Sequence, residues 1–425
     1  MGKRSVFLIF LLITAASIFL RFYNFQDAIN FHLDPPVFMH EMKDMVDFGK
    51  LRLTGPMVSS KILEGRGFFT GPTMYYILIP IAVLTNWNVE ILTGFFAFIW
   101  LICFILLYLW LKNRFGATIA LIVYGLVSFF PPFVPFSRIT WNPTFIPLFA
   151  LLLLIFLEKR KQKTIFYFLA GLSFGLGLSI EYIAILQFLV LLYYLILDYK
   201  GKSFRIVNWF LIVAGFLVGE APIILFELKH NFYNLQTILF HLRYYESSQS
   251  YGFDFGGHFY YYVFPLFPVF CVLYAKFLVK IQKKLGRKIV IISQALIMVL
   301  FLSRLAFGPR GEALIFPEGW TVTRQRQIAQ YIVQDNPPEN FEVAATIGPE
   351  TRANEIRWWL RMLNRNPMSV VDYEKTDYLY LVAPKNRPPE KETVWEVKVL
   401  RPFKVVKQID LGTDIFLYKL VRVVK

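Results

Sequence analysis

Nine apolar runs of spanning length constrain this chain more than any other feature. They lie at about 5–21, 90–111, 117–136, 143–157, 164–180, 183–197, 206–226, 258–280 and 288–306. A helical span needs roughly 20 mostly apolar residues, and the chain is 56% hydrophobic and only 17% charged. Such a chain cannot cover itself with polar surface in water. The sequence therefore predicts an α-helical polytopic membrane protein and excludes a soluble enzyme or a disordered scaffold.

A tenth apolar run, Met74 to Thr85, is too short for an ordinary span and begins just after Gly71-Pro72. The other runs are flanked by basic clusters such as Lys3-Arg4, Glu158 to Lys163 and Lys280 to Lys288. Basic loops favour the cytoplasmic side, and every cluster falls inside only if the tenth run does not cross. We therefore expect nine spans plus one re-entrant or interfacial helix, in the cell (plasma or inner) membrane, with the N-terminus cytoplasmic.

The net charge of +16 comes mostly from these short clusters, so it does not indicate a nucleic-acid partner. Cys103 and Cys271 lie within apolar runs and are expected to be packing residues rather than a disulfide or a thiolate metal site. The first run follows basic residues, as a signal peptide does. It ends in Phe19-Leu20-Arg21 without a small-residue cleavage site, which predicts an uncleaved span.

The composition changes after residue 306, at the turn-rich hinge Gly308-Pro309-Arg310-Gly311. Residues 1–306 are predicted to form the membrane module, and residues 307–425 a small extracytoplasmic α/β domain. Amphipathic and β-branched patterns in the tail predict two helices and four strands. The helices are expected over Trp320 to Gln334 and Thr351 to Leu363, and the strands over Phe341 to Ile347, Asp377 to Ala383, Val394 to Leu400 and Ile415 to Val423.

The acidic first outer loop, residues 22–73, contains the strongest catalytic candidate. Asp34 is followed by Pro35-Pro36, which stiffen the backbone, and an acid held rigidly near the bilayer surface suits a general base. Glu41 and Asp44 follow at helical spacing, so residues 38–48 are expected to form a short helix on the membrane. A divalent metal held by Asp34, His32 or His40 is an open alternative, although the spacing matches no strong ligand pattern.

A glycine-rich stretch, Gly65-Arg66-Gly67-Phe68-Phe69-Thr70-Gly71-Pro72-Thr73-Met74-Tyr75-Tyr76, leads into the short apolar run. Glycines beside an arginine allow backbone and guanidinium to approach a phosphate closely. The same stretch is also compatible with a plain turn in which Arg66 reaches up to lipid headgroups. Both interpretations stay open at this point.

Two further clusters lie at the predicted outer ends of spans. One is Phe136-Ser137-Arg138-Ile139-Thr140-Trp141-Asn142-Pro143, and the other combines Glu220 with Phe226-Glu227-Leu228-Lys229-His230. Glu181 falls in the short outer turn between the fifth and sixth spans. Ionisable residues near membrane depth are costly and are therefore functional candidates, while arginine and tryptophan also serve as ordinary interfacial anchors.

These features together resemble the membrane-embedded GT-C glycosyltransferases. The resemblance is to the protein O-mannosyltransferases, the aminoarabinose lipid A transferase and their bacterial relatives. It rests on the order of parts and on three motifs: Gly71-Pro72-Thr73-Met74-Tyr75-Tyr76, Ser137-Arg138 followed by Trp141-Asn142-Pro143, and Pro222 with Phe226-Glu227 and His230. The implied fold is a GT-C-like module of about nine spans with a small extracytoplasmic α/β domain.

The resemblance implies transfer of a sugar from a polyprenyl-phosphate donor to a lipid, glycan or protein acceptor at the outer membrane face. The first-loop acid of the family falls on Asp34, which would act as base on the acceptor hydroxyl. Lys61, Arg66 or Arg138 would steady the leaving phosphate. The implied substrate contacts also include Tyr75, Asn142, Glu227 and His230. No cofactor is implied apart from the divalent metal already considered.

The chain departs from the family pattern directly after Asp34. Many relatives carry a second acid or a polar stretch there, whereas this sequence continues with Pro35-Pro36-Val37-Phe38. Glu41 or Asp44 could replace the second acid, or the chain could be a non-catalytic relative that acts as a subunit or scaffold. A transporter of lipid-linked saccharides is a third alternative. The sequence shows no inverted repeat to support that alternative.

Overall fold

Helices occupy every apolar run in the part of the chain that the computed structural model describes, which is residues 2–58, 66–201, 205–244, 259–305 and 319–423. Lys61 and the predicted hinge at Gly308 lie outside these residues. The chain divides into two compact units. The membrane unit contains Met1–Tyr23 and Asp44–Leu305, and the C-terminal unit contains Asn24–Lys43 and Ala306–Lys425. The sequence did not predict that a stretch of residues 22–73, the expected first outer loop, belongs with the C-terminal residues.

The membrane unit consists of helices joined mostly by short connections. Short 3-10 turns at Asn142–Phe145, Tyr182–Gln187 and Phe264–Leu266 lead directly into three of them. Its helices are Lys3–Phe22, Thr73–Leu84, Val89–Phe115, Ala117–Phe129, Phe133–Phe136, Ile146–Lys159, Ile165–Ile180, Phe188–Lys200, Ile206–Gly219, Ala221–Lys229, Tyr233–Tyr244, Phe259–Tyr262, Phe267–Leu285 and Arg287–Arg304. The helix Asp34–Asp47 begins in the C-terminal unit and ends in the membrane unit.

Five helices among the described residues are long and apolar enough to cross a membrane. They are Lys3–Phe22, Val89–Phe115, Asn142–Lys159, Tyr182–Lys200 and Phe264–Leu285. Thr73–Leu84, Ala117–Phe129 and Ile165–Ile180 are shorter apolar helices. The expected short helix after Gly71-Pro72 is therefore present, while the count of nine spans stays a prediction.

The run expected as one span at 206–226 is broken instead. Ile206–Gly219 and Ala221–Lys229 meet at a bend of 70°, and the pair counts as a sixth span if it crosses as one unit. Pro222 lies in the first turn of the second helix, where its missing N–H costs least. The same proline prevents a continuous helix from passing through this point. Glu220, at the break, is buried and its Oε1 has no hydrogen-bond partner among the described residues.

Glycines allow two helices of the membrane unit to touch along their backbones. A Cβ placed on Gly171 would lie 1.9 Å from the carbonyl oxygen of Ile212, and one on Gly215 would lie 2.1 Å from that of Phe168. Gly175 and Gly219 repeat this contact one turn further on. Small residues four apart on both partners are a common way for membrane helices to approach closely. This packing fixes Ile165–Ile180 against Ile206–Gly219.

The C-terminal unit contains a four-stranded sheet in the order β1-β2-β4-β3. The strands are β1 (Phe341–Ala345), β2 (Tyr378–Pro384), β3 (Phe403–Asp410) and β4 (Ile415–Arg422). β1 and β2 pair in parallel, whereas β2 with β4 and β3 with β4 are antiparallel. The longer helices are Val322–Gln334, capped by the Thr321 hydroxyl, and Asn354–Met362. β-Branched composition and helical patterns thus predicted most of this unit.

One expected strand of the tail is wrong. Val394 to Leu400 contains the short helix Trp395–Lys398, and the third strand is instead Phe403–Asp410. Val394, Val397 and Leu400 are three residues apart, which is helical spacing, and Val397 and Leu400 join the buried core. β-Branched composition favoured a strand here, but burial of one helical face decided the outcome.

A buried ion pair connects β1 to the helix Asn354–Met362. Arg357 Nη2 donates to Glu342 Oε2 and, at 2.8 Å, to the Tyr373 hydroxyl. Burial raises the pKa of Glu342 to about 7, and Arg357 opposes that rise without cancelling it. A carboxyl whose pKa is raised in the folded state makes its full contribution to stability at pH values below its ordinary pKa. That contribution is lost as the pH rises through about 7.

We therefore expect the C-terminal unit to be less stable at pH 8 than at pH 5, by about 1–3 kcal/mol from Glu342 alone. Glu342→Gln keeps the side-chain shape without the titration and should flatten this dependence. Urea-dependent pulse proteolysis of the full-length protein in detergent would measure it, with the exposed Glu339→Gln as control. An unchanged slope in Glu342→Gln would contradict the assignment.

Candidate functional site

Asp34 is the first residue of the helix Asp34–Asp47, and its side chain is exposed. Pro35 and Pro36 form the first turn of this helix and are buried. Proline fits the first helical positions because its fixed φ suits a helix and its missing N–H would be unpaired there anyway. The apolar continuation after Asp34 therefore starts a helix that presents the acid.

Glu41 and Asp44 lie on the same helix and are half-buried. Glu41 is two turns after Asp34, so a period of 3.6 residues places both acids on one side of the helix. Phe38, Met42 and Met45 of the same helix are buried. No group of three or more histidine, cysteine or acidic side chains in the described residues could hold a metal ion. The divalent metal stays a prediction, and no step below depends on one.

The glycine-rich loop of the membrane unit is held by neutral side chains. The Phe69 N–H donates to Asn234 Oδ1 at 3.0 Å, and its carbonyl accepts from Asn234 Nδ2 at 2.8 Å and from the Tyr182 hydroxyl at 2.5 Å. The Gly71 N–H donates to the Ser179 carbonyl at 2.6 Å. A Cβ on Gly71 would lie 2.0 Å from Ser179 Oγ, so only glycine permits this close approach.

Arg66 stands at the start of this loop with an exposed side chain. Its guanidinium carbon lies 5.1 Å from the centroid of the Phe240 ring, a cation–π distance. Its carbonyl accepts from His241 Nε2 at 3.0 Å. Both contacts come from the helix Tyr233–Tyr244, so this helix positions the arginine. Lys61, the other expected cation of the loop, lies outside the described residues.

Glu227 supports the same arrangement at the N-terminus of the helix Tyr233–Tyr244. Its two carboxylate oxygens accept the backbone N–H groups of Asn234 and Leu235 at 3.0 and 3.1 Å. An acid at a helix N-terminus is stabilised both by these donors and by the helix dipole. The structure thus connects Glu227 through Asn234 to the loop that carries Arg66. Glu227 acts here as a helix cap.

Four other predicted site residues have contacts within the membrane unit. Arg138 is buried and donates to the carbonyls of Leu20 and Arg21 at the end of the first helix. Asn142 donates to the Ile180 carbonyl at 3.1 Å and to Glu181 Oε2 at 2.7 Å. Tyr75 is fully buried in the helix Thr73–Leu84. The exposed His230 donates to the Phe226 carbonyl and stacks on the Phe226 ring.

Three acids, Glu181, Glu220 and Glu227, interact electrostatically with the phenol of Tyr182. The sequence had singled out these acids separately, because each is an ionisable residue near a span end. Tyr182, Asn234 and Ser179 were missed, since their neutral side chains give no indication in the sequence of the contacts they make. Glu227 contacts Asn234, which holds the loop that carries Arg66, and Asn142 contacts Glu181, close in sequence to Ser179 of the same loop contacts. Arg138 instead binds the carbonyls at the end of the first helix.

We expect Asn234→Leu to loosen this loop, because both backbone groups of Phe69 lose their amide partner. The Phe69 carbonyl keeps the Tyr182 hydroxyl, but the N–H is left without a partner, and an unsatisfied buried group costs about 1–3 kcal/mol. Trypsin should therefore cut after Arg66 at least several-fold faster than in the wild type. Asn113→Leu, at an exposed helix position, serves as the control. Equal cleavage of the two variants would show that Asn234 does not hold the loop.

Comparison with known proteins gives two kinds of match. The family described as dolichyl-phosphate-mannose-protein mannosyltransferase matches residues 70–226. That range covers the helix after Gly71-Pro72 and extends to Phe226, but it leaves out the Asp34 segment and the C-terminal unit. No curated protein matches the sequence.

The crystal structure of ArnT from Cupriavidus metallidurans bound to undecaprenyl phosphate is similar over 96% of this chain and 97% of that chain. Its TM-score is 0.60 and its identity 13%. The apo structure of the same protein covers the same shares, with a TM-score of 0.57 and 11% identity. At this identity the similarity shows the fold, and it extends over both units. The chain is therefore a membrane protein with the GT-C fold, and the resemblance to the GT-C membrane glycosyltransferases is confirmed.

Proposed function

We propose that this protein is an inverting glycosyltransferase that moves a sugar from a polyprenyl-phosphate donor to an acceptor hydroxyl at the outer membrane face. The observation that carries the proposal is the exposed Asp34 carboxylate at the first turn of a helix, in a chain with the fold of ArnT. The matched ArnT structure holds undecaprenyl phosphate, which supports a lipid-phosphate donor for this chain.

In the proposed reaction Asp34 is the general base. An aspartate is ordinarily ionised at neutral pH, so its carboxylate can accept the proton of the acceptor hydroxyl. The acceptor oxygen then forms a bond to the anomeric carbon of the sugar. The bond from that carbon to the phosphate oxygen breaks on the opposite face, and polyprenyl phosphate leaves with the electron pair. Attack opposite the leaving group inverts the anomeric centre.

The leaving phosphate gains one negative charge, and a cation that faces it lowers the energy of the transition state. Arg66 is the described residue best suited to this role, because its guanidinium is exposed on a loop held by Asn234, Tyr182 and Ser179. A planar guanidinium can bind two phosphate oxygens at once. Lys61 is proposed as a second cation. Arg138 is already used as a donor to main-chain carbonyls.

The direct test is transfer from a panel of radiolabelled polyprenyl-phosphate sugars in proteoliposomes, offered with lipid, glycan and protein acceptors. Transfer of label to any acceptor would support the proposal. Movement of the intact labelled lipid across the bilayer without transfer would indicate the transporter alternative. Absence of both, with an active relative as control, would leave the non-catalytic subunit or scaffold.

A further inference from the structure

His32, two residues before Asp34, is sealed inside the C-terminal unit. His32 Nδ1 donates to Glu355 Oε1 at 3.0 Å, and the indole N–H of Trp320 donates to the same oxygen at 2.8 Å. These three side chains are 0–1% exposed. A bond between residues that are 323 positions apart therefore fixes part of the first outer loop to the C-terminal residues.

The second polar atom of each side chain in this pair is buried without a hydrogen bond. His32 Nε2 and Glu355 Oε2 are buried and lack a hydrogen-bond partner among the described residues. No substrate can reach a pair that is this deeply enclosed, so it does not form a catalytic dyad. A buried polar pair contributes little net stability, but it penalises every arrangement in which either partner stays unpaired. Such a pair therefore specifies where the segment lies.

Further contacts hold the same segment on both sides of His32. Gln325 Nε2 donates to the Phe31 carbonyl at 3.0 Å, and the Phe31 ring lies 5.6 Å from that of Trp359. His40 Nε2 donates to the Asn354 carbonyl at 3.2 Å. The helix Asn354–Met362 thus contacts the segment before and after Asp34. These contacts attach the segment to the C-terminal unit both before and after Asp34.

A strained residue separates His32 from Asp34. Leu33 has φ +61°, in the left-handed region that a leucine rarely adopts. Such a conformation is strained and persists only where its surroundings enforce it. The His32–Glu355 bond enforces it from one side, and the helix that begins at Asp34 does so from the other. The sharp turn at Leu33 sets the direction in which the carboxylate leaves the backbone.

We propose that His32 is a positioning residue for sugar transfer, through which the C-terminal unit aims the Asp34 carboxylate. This inference rests on the proposed function. It assigns the C-terminal unit to the catalytic apparatus, not to a separate acceptor-binding module. Losing the pair should lower kcat about 10–100-fold, because a misplaced base loses much of its contribution. The KM for the donor should change less than about twofold, since the donor does not touch His32.

The test compares two variants of His32. His32→Leu removes the N–H group that donates the hydrogen bond to Glu355, whereas in His32→Asn the amide nitrogen can take the place of Nδ1. We expect a fall in kcat in the first and recovery of most of it in the second. Gln26→Leu, at an exposed position of the same segment, is the matched control. Hydrogen exchange of residues 24–43 provides a second measurement and should rise in His32→Leu alone.

Glu355→Leu removes the pair from the other side and covers the case in which His32→Leu does not fold. If the two residues act through each other, the double variant should have the same kcat as the worse single variant. Full kcat in both single variants, with Asp34→Asn inactive, would overturn the positioning role and leave the proposed function intact. A wild type that transfers no sugar would overturn both.

Discussion

Replacing Asp34 with asparagine should lower the rate of sugar transfer by about 10²–10⁴-fold, the usual contribution of a positioned general base. The amide has the same shape as the carboxylate but cannot accept the acceptor proton. Asparagine is also as good as aspartate at the start of a helix, so the helix Asp34–Asp47 should form in both proteins. Initial rates in proteoliposomes, with the labelled donor that the wild type uses, would measure the effect.

The matched control is Asp47→Asn, which makes the same chemical change at the other, exposed end of the same helix. It should retain wild-type transfer. If Asp34→Asn also retains full transfer, the enzyme stands but Asp34 is not its base. Glu41 and Asp44 would then be the next candidates, because they lie on the same helix.

Local patterns predicted most of the secondary structure. Apolar length located the helices, and the β-branched runs located β1, β2 and β4. The helix beside Asp34 was predicted only in part, because it was expected over residues 38–48 and begins four residues earlier, at Asp34. The prolines that looked like a departure from the family pattern turned out to form the first turn of the helix. The prolines act through their fixed φ and their missing N–H. A comparison of side-chain types with the family pattern could not predict this effect on the backbone.

The remainder of the site depends on contacts that no local pattern encodes. Nothing around His32 in the sequence points to Glu355, and nothing around Phe69 points to Asn234. Charge indicated that Arg138 and Glu227 were costly at membrane depth, but it could not name the groups that stabilise them. For both residues these groups are main-chain carbonyls or N–H groups at helix ends. A polar residue at a span end can therefore be part of a functional site or can bind main-chain groups at a helix end. Only the fold shows which of these two roles it has.

The helix that carries Glu355 is itself held by Arg357, whose removal should destabilise the C-terminal unit strongly. Arg357 donates to Glu342, to the Tyr373 hydroxyl and to the carbonyls of Met368 and Arg352. Arg357→Leu leaves the Glu342 carboxylate buried without a cation. Breaking a buried ion pair from one side costs about 3–5 kcal/mol, and we expect a loss of this size in urea-dependent pulse proteolysis at pH 8.

The matched control is Arg352→Leu, since the Arg352 side chain is 59% exposed and lies 4.0 Å from Glu350. Surface pairs contribute about 0–1 kcal/mol, so this variant should unfold almost like the wild type. The loss in Arg357→Leu should shrink at pH 5, where Glu342 can take up a proton and no longer buries a charge. The double variant Arg357→Leu with Glu342→Leu should recover much of the stability, because two apolar side chains then replace the pair. A loss in Arg357→Leu that is the same at both pH values and persists in the double variant would place the cost in packing and not in charge.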